Sequence, residues 1–460
     1  MFSVFNKYKS LFLLFGDVLL TFIAIHTAIM ARFGSSINIT VFYQEKYHKL
    51  LPIIIILIFS TYLSEGYVIS SNMKRRIMTT RIIISSVISF IAIVSLYYIV
   101  PDNLLGRGLL IIIILSFMLF QLVWHWLFFF SNSSPRFSQR VLVVGVSDIA
   151  HQIAEMIRDA PGGYLFIGYV QCGGETVAKG IRDDEVICLA DSLRDAAVNK
   201  SADIVVIALN ERRGVFPLRD ALSCKLNGVE VLDAPSFYEV VAGKLMLEQV
   251  TPSWFIYSSG CNRLALIRFF KRSADIFMAI IGLLIAVLLF PFIFIAIKLD
   301  SSGPLFFSQL RVGNRERQFR LYKFRTMRQD AESDTGAIWA QENDTRVTRV
   351  GAILRKSRLD EIPQLFNVLL GQMSLIGPRP ERPEFVDKLK VQVPYYSRRH
   401  FIKPGITGWA QVRYPYGASV DDAFEKLRYD LYYVKNMSVL LDTLIVFETI
   451  KVVLFGRGGR

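Results

Sequence analysis

Cysteine is scarce in this chain: there are four in 460 residues, Cys172, Cys188, Cys224 and Cys261. They are widely spaced and form no CxxC, so neither a zinc site nor a disulfide framework is indicated, and they read as reduced, cytosolic core residues. A full GxGxxG is also missing. The turn after the strand-like RVLVVGV carries only its first glycine, Gly145, and Asp148 would repel a pyrophosphate, which argues against dinucleotide-dependent catalysis there. No YxxxK pair follows. Acidic residues are in deficit, 39 against 53 Lys and Arg, for a net charge of +14. The basic residues are spread along the chain and flank apolar runs, so they point to an anionic bilayer and phosphorylated substrates and not to nucleic acid. Apolar residues make up 52% of the chain, too many for an ordinary soluble protein, and the length allows several domains. The composition is that of a membrane protein.

Residues 1–134 predict a four-helix transmembrane bundle. Apolar runs at 11–31, 48–65, 82–100 and 108–130 fit spans of about 20 residues. Lys7, Lys9, Lys74, Arg75, Arg76, Arg81, Arg136 and Arg140 fall on one side, which puts both ends of the bundle in the cytosol. The first run is too long, and lacks the cleavage site, for a removed signal. Asp17 and His26 lie within it. An ionisable group there is a functional candidate, although Asp17 is near enough to an end to reach the interface.

The pattern changes at residues 135–255. Strand-like RVLVVGV, LFIGYV (165–170), ADIVVIAL (202–209) and VEVLDA (229–234) alternate with helical runs, beginning with 147–158, and predict a Rossmann-like α/β domain with a parallel sheet.

Residues 357–380, SRLDEIPQLFNVLLGQMSLIGPRP, carry the strongest signal. Ile362, Leu365, Phe366, Leu369 and Leu370 repeat at helical spacing, and Gly371 is a natural stop. Pro363 is tolerated only in a first turn, so the helix is expected to begin near Asp360. Asp360 and Glu361 then sit at its positive end, either as simple caps or as chemical groups where a phosphate could also bind. Arg355, Arg358 and Arg379 supply cations nearby. Spacing does not decide which carboxylate would act.

This stretch, together with LYKFRTM (321–327) and KPGITGWAQV (403–412), resembles the monotopic phosphoglycosyl transferases. These bacterial enzymes move a sugar-1-phosphate from a UDP-sugar onto a polyprenyl phosphate. The resemblance implies that residues 301–460 form a mixed, mainly α catalytic domain. Asp360 would be the nucleophile and Glu361 its supporting carboxylate, while Arg355 would hold the site geometry. Arg379 would meet phosphate, with Lys323, Arg325, Arg358 and Lys403 as further phosphate-binding cations. Asp430 and Gln411 would be supporting residues, with Asp430 able to pair with an arginine. Magnesium, held mainly by Asp360 and substrate oxygens, is the implied cofactor. Gln372 stands where some members have Asp.

The KPGITGWAQV loop reads equally well as an interface-building turn or a substrate contact, and RYPYGASV after it is where sugar choice could be read. His400 reads as structural, and 438–455 as a helix packed on the domain or lying in the interface.

Residues 256–300 form a linker and an apolar segment. Its run at 274–297 is long enough to span. A spanning helix would carry the catalytic domain away from cytosolic UDP-sugars, so a re-entrant helix broken at Pro291 is expected. Phe290 replaces the serine often found before that proline. Lys271, Arg272 and Lys298 suit basic anchors, with Asp275 paired to one of them.

The expected partners are a UDP-sugar, undecaprenyl phosphate, membrane lipid and a second copy of the chain. The expected place is the bacterial inner membrane, with the catalytic domain facing the cytosol. The implied role is to start exopolysaccharide, O-antigen or capsule assembly. The alternatives are a non-catalytic membrane scaffold or regulator of that assembly, and a nucleotide-sugar oxidoreductase acting through the middle domain.

Overall fold

A computed structural model of the chain describes residues 4–34, 39–67, 75–100, 105–132, 138–159, 163–172, 175–188, 192–209, 217–249, 264–328, 346–414, 417 and 419–454. It divides into two compact units, Met1–Ala242 and Gly243–Arg460.

The first unit opens with α1 (Val4–Phe33), α2 (Ile39–Leu63), α3 (Arg75–Ile99) and α4 (Arg107–Asn132). They pack around small and branched residues such as Ala24, Ala28, Ile53, Ile93 and Ile113, all fully buried. Among the described residues four helical segments are long and apolar enough to cross a membrane: Ser10–Phe33, Met78–Ile99, Arg107–Phe130 and Phe269–Asp300. They are not the four expected. The apolar part of α2 is only Tyr47–Leu63, and the fourth segment lies in the second unit. Lys74, Arg136 and Cys261 lie outside the described residues.

Asp17 does not reach the interface but is fully buried. Its carboxylate accepts from the Tyr67 hydroxyl at 2.9 Å and Gln121 Nε2 at 2.6 Å, with His125 Nε2 at 3.2 Å. Gln121 Nε2 also donates to Thr61 Oγ1, which bonds Ser85. A carboxylate in an apolar bundle needs such partners, and these tie helices α1 to α4 together. His26 is exposed.

Further along, β1 (Gln139–Val144), α5 (Asp148–Asp159), β2 (Tyr164–Gln171), β3 (Val186–Cys188), α6 (Leu193–Asn199), β4 (Ile204–Ile207), α7 (Leu218–Leu226), β5 (Glu230–Asp233) and α8 (Ala234–Ala242) follow in order. The described strands form one parallel sheet in the order β3-β2-β1-β4-β5. Strands β1 and β4 bury every residue from Val141 to Val144 and from Ile204 to Ile207, as a sheet covered on both faces requires. The three-residue edge strand β3 was not foreseen. At the first turn the Val146 carbonyl accepts from the Ala178 amide at 2.8 Å and Ser147 Oγ donates to Ala208 O at 2.8 Å, so the chain closes over its own turn.

The second unit begins with α9 (Leu264–Asp300), one uninterrupted helix, so the break expected at Pro291 is not there. It continues with the antiparallel pair β6 (Phe306–Val312) and β7 (Gln318–Phe324), then α10 (Arg349–Lys356), α11 (Gln364–Leu369), β8 (Ser374–Ile376), α12 (Pro383–Gln392), β9 (Gly405–Thr407), α13 (Trp409–Arg413), α14 (Val420–Asn436) and α15 (Val439–Leu454). Strands β8 and β9 pair in parallel. The largest core gathers Trp409, Tyr432, Tyr433, Leu427, Leu431 and Ile445. Helix α15 is packed on the domain, with Leu441 and Ile445 buried and Thr449 Oγ1 2.7 Å from Thr407 Oγ1.

From Arg272 to Asp300, one stripe of α9 lies on this unit. Arg272 donates to Val368 O and Leu369 O, and Asp275 accepts the Leu375 amide. Ala279 packs with Leu321 and Val368, Gly282 faces Leu365, and Phe290 stacks near Phe306 and Phe324. Ile293 and Ile297 pack with Phe324 and Leu354, and Asp300 accepts the Val350 amide. Apart from one interval of eight between Gly282 and Phe290, the positions recur every three or four residues, the spacing of one helical face. The opposite face, including Leu284, Leu288, Phe292 and Leu299, is exposed and apolar. Lys271 pairs with Asp442 and Lys298 donates to Gly303 O, so the basic flanks go to protein partners and Asp275 pairs with none of them.

Candidate active site

Asp360 and Glu361 do not open an α-helix. Arg358 breaks the chain from α10 with φ of 59°, and residues 359–361 form a 3-10 turn. Pro363 has no N–H to extend that turn, so α11 starts only at Gln364. A left-handed backbone is uncommon outside glycine, and here it turns Arg358 back toward Glu361. Neither carboxylate caps a helix, and with α11 six residues long there is no helix end to bind phosphate. The apolar stripe read from the sequence is also reassigned: α11 buries Gln364, Asn367 and Val368, while Phe366 and Leu370 are exposed. Asn367 explains the polar core face. Its Nδ2 donates to Arg320 O and to Gln372 Oε1, and its Oδ1 accepts the Tyr322 amide, fastening α11 to β7. Gln372 thus has a structural partner.

Both carboxylates are buried, yet their surroundings differ. Glu361 Oε1 meets Arg379 Nη2 at 2.9 Å, Lys323 Nζ at 3.3 Å and Arg358 Nη1 at 3.5 Å. Burial pushes Glu361 up, but Arg379, Lys323 and Arg358 outweigh it and hold the carboxyl well below its ordinary range. Asp360 has one ion pair among the described residues, Oδ2 to Lys323 Nζ at 3.8 Å. Burial raises Asp360; Lys323, Arg379 and Arg355 oppose that rise and the charge on Glu361 adds to it. Two adjacent carboxylates pushed in opposite directions suit different roles. Glu361 gathers the three cations, and Asp360 is left with one longer ion pair.

The cations come from separate elements. Lys323 is on β7, Arg358 in the turn and Arg379 in the GPRP loop after β8. Arg355, on α10, donates from Nε to Thr326 Oγ1 at 2.9 Å. Gly351 makes this possible, because a Cβ there would lie 2.1 Å from Thr326 O.

The GPRP loop is locked against KPGITG by backbone contact. Gly377 N donates to Thr407 O, Gly405 N donates to Pro378 O, and a Cβ on Gly405 would lie 2.1 Å from Gly377 N. Arg311 Nη1 donates to Pro380 O, and buried Arg399 donates to Arg379 O at 3.0 Å. Asp430 does pair with an arginine: Arg399 Nη2 lies 2.8 Å from its Oδ2. Asp430 thus reaches the site through Arg399 and the backbone of Arg379. Arg311, Arg399 and Thr326 were not singled out from the sequence: no local motif marks the two arginines, and Thr326 sits unnoticed inside LYKFRTM.

Four expected residues stand apart from the carboxylates. Arg325 follows the end of β7, is buried, and donates to Ser301 O and Oγ, so it does not share the side of Lys323. Lys403 lies at the other end of α11, where a Cβ on Gly371 would be 3.5 Å from its Nζ and 3.6 Å from Arg272. Burial and then Arg272 lower its pKa, against the pull of Asp275. Gln411 donates to Ile406 O within its own loop. Pro291 belongs to α9. Trp409 is no interface anchor: it is buried, and its indole donates to Gly243 O. His400 is buried too, and burial followed by Arg399 takes it down to about 4. Of RYPYGASV, residues 415, 416 and 418 lie outside the described residues.

A family model described as bacterial sugar transferase matches residues 266–456. The chain is 52% identical over 192 residues to the UDP-N-acetylgalactosamine-undecaprenyl-phosphate N-acetylgalactosaminephosphotransferase of Aeromonas hydrophila, covering 42% of this chain and 45% of that one. It is 33% identical over 320 residues to the UDP-glucose:undecaprenyl-phosphate glucose-1-phosphate transferase of Xanthomonas campestris pv. campestris, covering 68% and 66%. It is 42% identical over 188 residues to the exopolysaccharide production protein PSS of Rhizobium leguminosarum bv. phaseoli, covering 39% of this chain and 92% of that one. The matched part thus spans about half to two thirds of the first two relatives and nearly all of the third.

The opposite shifts of the pair make opposite stability predictions at neutral pH. Glu361 contributes stability above the ordinary glutamate value of about 4.3, lost as pH falls toward its depressed folded value. Its cationic partners are 20% to 29% exposed, so Glu361→Gln should cost about 1–3 kcal/mol and not the full cost of breaking a deeply buried pair. Asp360 is raised, so its charged form weakens the fold at pH 7 and Asp360→Asn should melt at or above the wild-type temperature. Thermal melts of both variants in nanodiscs check this; equal losses would contradict the asymmetry.

Proposed function

Because the chain belongs to the bacterial sugar transferase family, we propose that it transfers a sugar-1-phosphate from a UDP-sugar to undecaprenyl phosphate. In the first step an Asp360 carboxylate oxygen attacks the β-phosphorus, the bridging bond to the α-phosphate breaks, and UMP leaves. A phosphate oxygen of the acceptor then attacks the aspartyl-bound phosphorus and returns the carboxylate, giving undecaprenyl diphosphate sugar. The observation that carries this reading is the asymmetry of the pair: Glu361 is bound by Arg379, Lys323 and Arg358 while Asp360 retains an unbonded oxygen. The same cations suit the phosphate charge that both steps bring together.

Magnesium fits this donor set. Among the described residues no cluster of three or more His, Cys, Asp or Glu forms a protein cage, and magnesium is commonly held by one or two carboxylates plus substrate phosphates. Asp360 would hold it, and it would supply further neutralisation of phosphate charge.

In this reading α9 dips into the bilayer from one face without crossing it, on the cytosolic side where UDP-sugars are made. Its continuous packing supports that. Asp275 and Asp300 are about 37 Å apart on a straight helix, more than the roughly 30 Å hydrocarbon thickness. Both bond the same unit, to the amides of Leu375 and Val350. Crossing would put those contacts on opposite sides of the membrane.

The similarity to the Aeromonas protein makes UDP-N-acetylgalactosamine the first donor to try, with UDP-glucose next. The product would begin a lipid-linked polysaccharide. The Rossmann-like sheet would serve as a dimer-forming module, since Leu218, Leu222 and Leu226 expose one apolar stripe of α7.

UMP release from a panel of UDP-sugars, with magnesium and undecaprenyl phosphate, is expected for one donor and should disappear in Asp360→Ala. Release that survives the substitution would remove Asp360 from the nucleophile role. The nucleophile must be ionised, and Asp360 is raised, so the rate should fall with acid above the ordinary aspartate value of about 3.9. Lys323→Met removes a charge that lowers Asp360 and should move that limb to higher pH; an unmoved limb would show that the titrating group is elsewhere. Mass measurement in lipid should give dimers for the wild type and monomers for Leu222→Asp, and a wild type found only as monomer would overturn the dimer.

A further inference from the structure

Lys403 opens the KPGITG motif, yet the reaction leaves it unused, because it stands at the other end of α11 from Asp360. Its backbone is fixed. The Ser374 amide donates to Pro404 O at 2.9 Å, and a Cβ on Gly377 would lie 2.4 Å from Lys403 O, so the lysine is held against β8. The half-buried side chain that this backbone carries has no ion pair and no hydrogen bond among the described residues.

A second cation stands beside it. Arg272 of α9 donates from Nη1 to Val368 O at 2.6 Å and from Nη2 to Leu369 O at 2.9 Å, and neutral carbonyls leave its charge in place. The point where a Gly371 Cβ would be is 3.5 Å from Lys403 Nζ and 3.6 Å from Arg272 Nη2. One phosphate bridges such a gap with two charge-assisted hydrogen bonds of about 2.8 Å each. Asp275 offsets part of the repulsion, but its Oδ1 accepts the Leu375 amide at 3.0 Å, and among the described residues it pairs with neither cation. Two cations and one carboxylate leave the place net positive. Gly371 has φ of 78°, which itself asks for glycine at the end of α11. The missing side chain also keeps the space between the cations open.

The flanks of this space are apolar. Phe269, one turn before Arg272 on α9, is 66% exposed, and Leu370, next to Gly371, is 54% exposed. Phe269 also begins the segment long and apolar enough to cross a membrane. A water-borne phosphate has no use for such flanks, whereas a phospholipid carries its phosphate directly above hydrocarbon. We infer that Lys403 and Arg272, on either side of Gly371, bind the phosphodiester headgroup of an anionic bilayer phospholipid whose acyl chains pass Phe269 and Leu370. The inference rests on α9 lying in the membrane and not on the chemistry at Asp360. This lipid is not the acceptor, whose phosphate must reach the far end of α11. It neutralises the joint where α9, α11 and the KPGITG loop meet.

The test uses the full-length protein in phosphatidylcholine nanodiscs containing phosphatidylglycerol that carries a diazirine at the glycerol end of one acyl chain. Peptides containing Phe269 or Leu370 should be labelled. Lys403→Met should cut that labelling about fivefold, the weight of one basic residue at an anionic surface, and Lys403→Arg should restore it. Gly371→Asp puts a carboxylate between the cations, and aspartate is among the side chains that adopt a left-handed backbone, so labelling should be lost there too. If that variant fails to fold, the pair of Lys403 variants decides. Excess unlabelled phosphatidylglycerol should protect the peptides, and excess phosphatidylcholine, inorganic phosphate or UDP should not. Labelling unchanged in Lys403→Met, or protection by inorganic phosphate or UDP as strong as by phosphatidylglycerol, would overturn the headgroup site. Protection by undecaprenyl phosphate at far lower concentration than phosphatidylglycerol would overturn it as well, giving the place to the acceptor.

Discussion

Everything in the second unit depends on keeping two neighbouring carboxylates buried together. Adjacent charges repel, and burial penalises each of them, so the pair survives only if cations are brought close. The fold brings three onto one oxygen: Arg379, Lys323 and Arg358 all meet Glu361 Oε1. Concentrating them there leaves Asp360 with the penalty and the freedom. A buried carboxylate with only one long ion pair costs stability, and in the proposed reading it is also the one that forms a new bond. The instability of Asp360 and the reactivity proposed for it therefore share one physical origin.

Gathering those cations constrains distant parts of the chain. Arg379 is aimed by a loop whose backbone is gripped on two sides, by KPGITG through Gly377 and Gly405 and by the buried guanidinium of Arg399. Arg399 can be buried because Asp430 and Tyr396 bond it. The three motifs of the sequence thus divide the work. One carries the acidic pair, LYKFRTM carries Lys323, and KPGITGWAQV is a support whose glycines let two backbones touch. Its tryptophan lies in the core beside Tyr432.

Legibility in the sequence followed the range of the forces involved. Long apolar runs and buried strands were readable because burial leaves a periodic trace in the local chain, as in α1 or β4. Edge strand β3 was not, being three residues long and without a pattern. The carboxylate pair was readable as a motif, but its setting was not: Arg358 in a left-handed backbone and Pro363 replace the expected helix start with a tight turn. Arg325 was grouped with Lys323 through the motif they share, but the strand ends one residue earlier, at Phe324. Contacts across long separations were least visible. The partners of Asp17 lie 50, 104 and 108 residues away, and nothing local distinguishes His125 from a histidine with no role.

The apolar stripe on residues 362–370 makes the same point from the other side. Helical periodicity says that a face is apolar but not what covers it. Here the domain core takes Asn367 and Val368, held by hydrogen bonds to β7, and Phe366 is left facing α9 across an apolar groove. Such a face has two ordinary explanations, a protein partner or lipid. The neighbouring surface decides between them: α9 presents Leu284, Leu288 and Phe292 outward over the same stretch, and a surface of that extent is at home in hydrocarbon. In the proposed reading, this is how a charged reaction takes place beside a bilayer. The helix that lies on the domain supplies a lipid-facing wall, while the turn that ends in Asp360 and Glu361 supplies the charge where that wall stops.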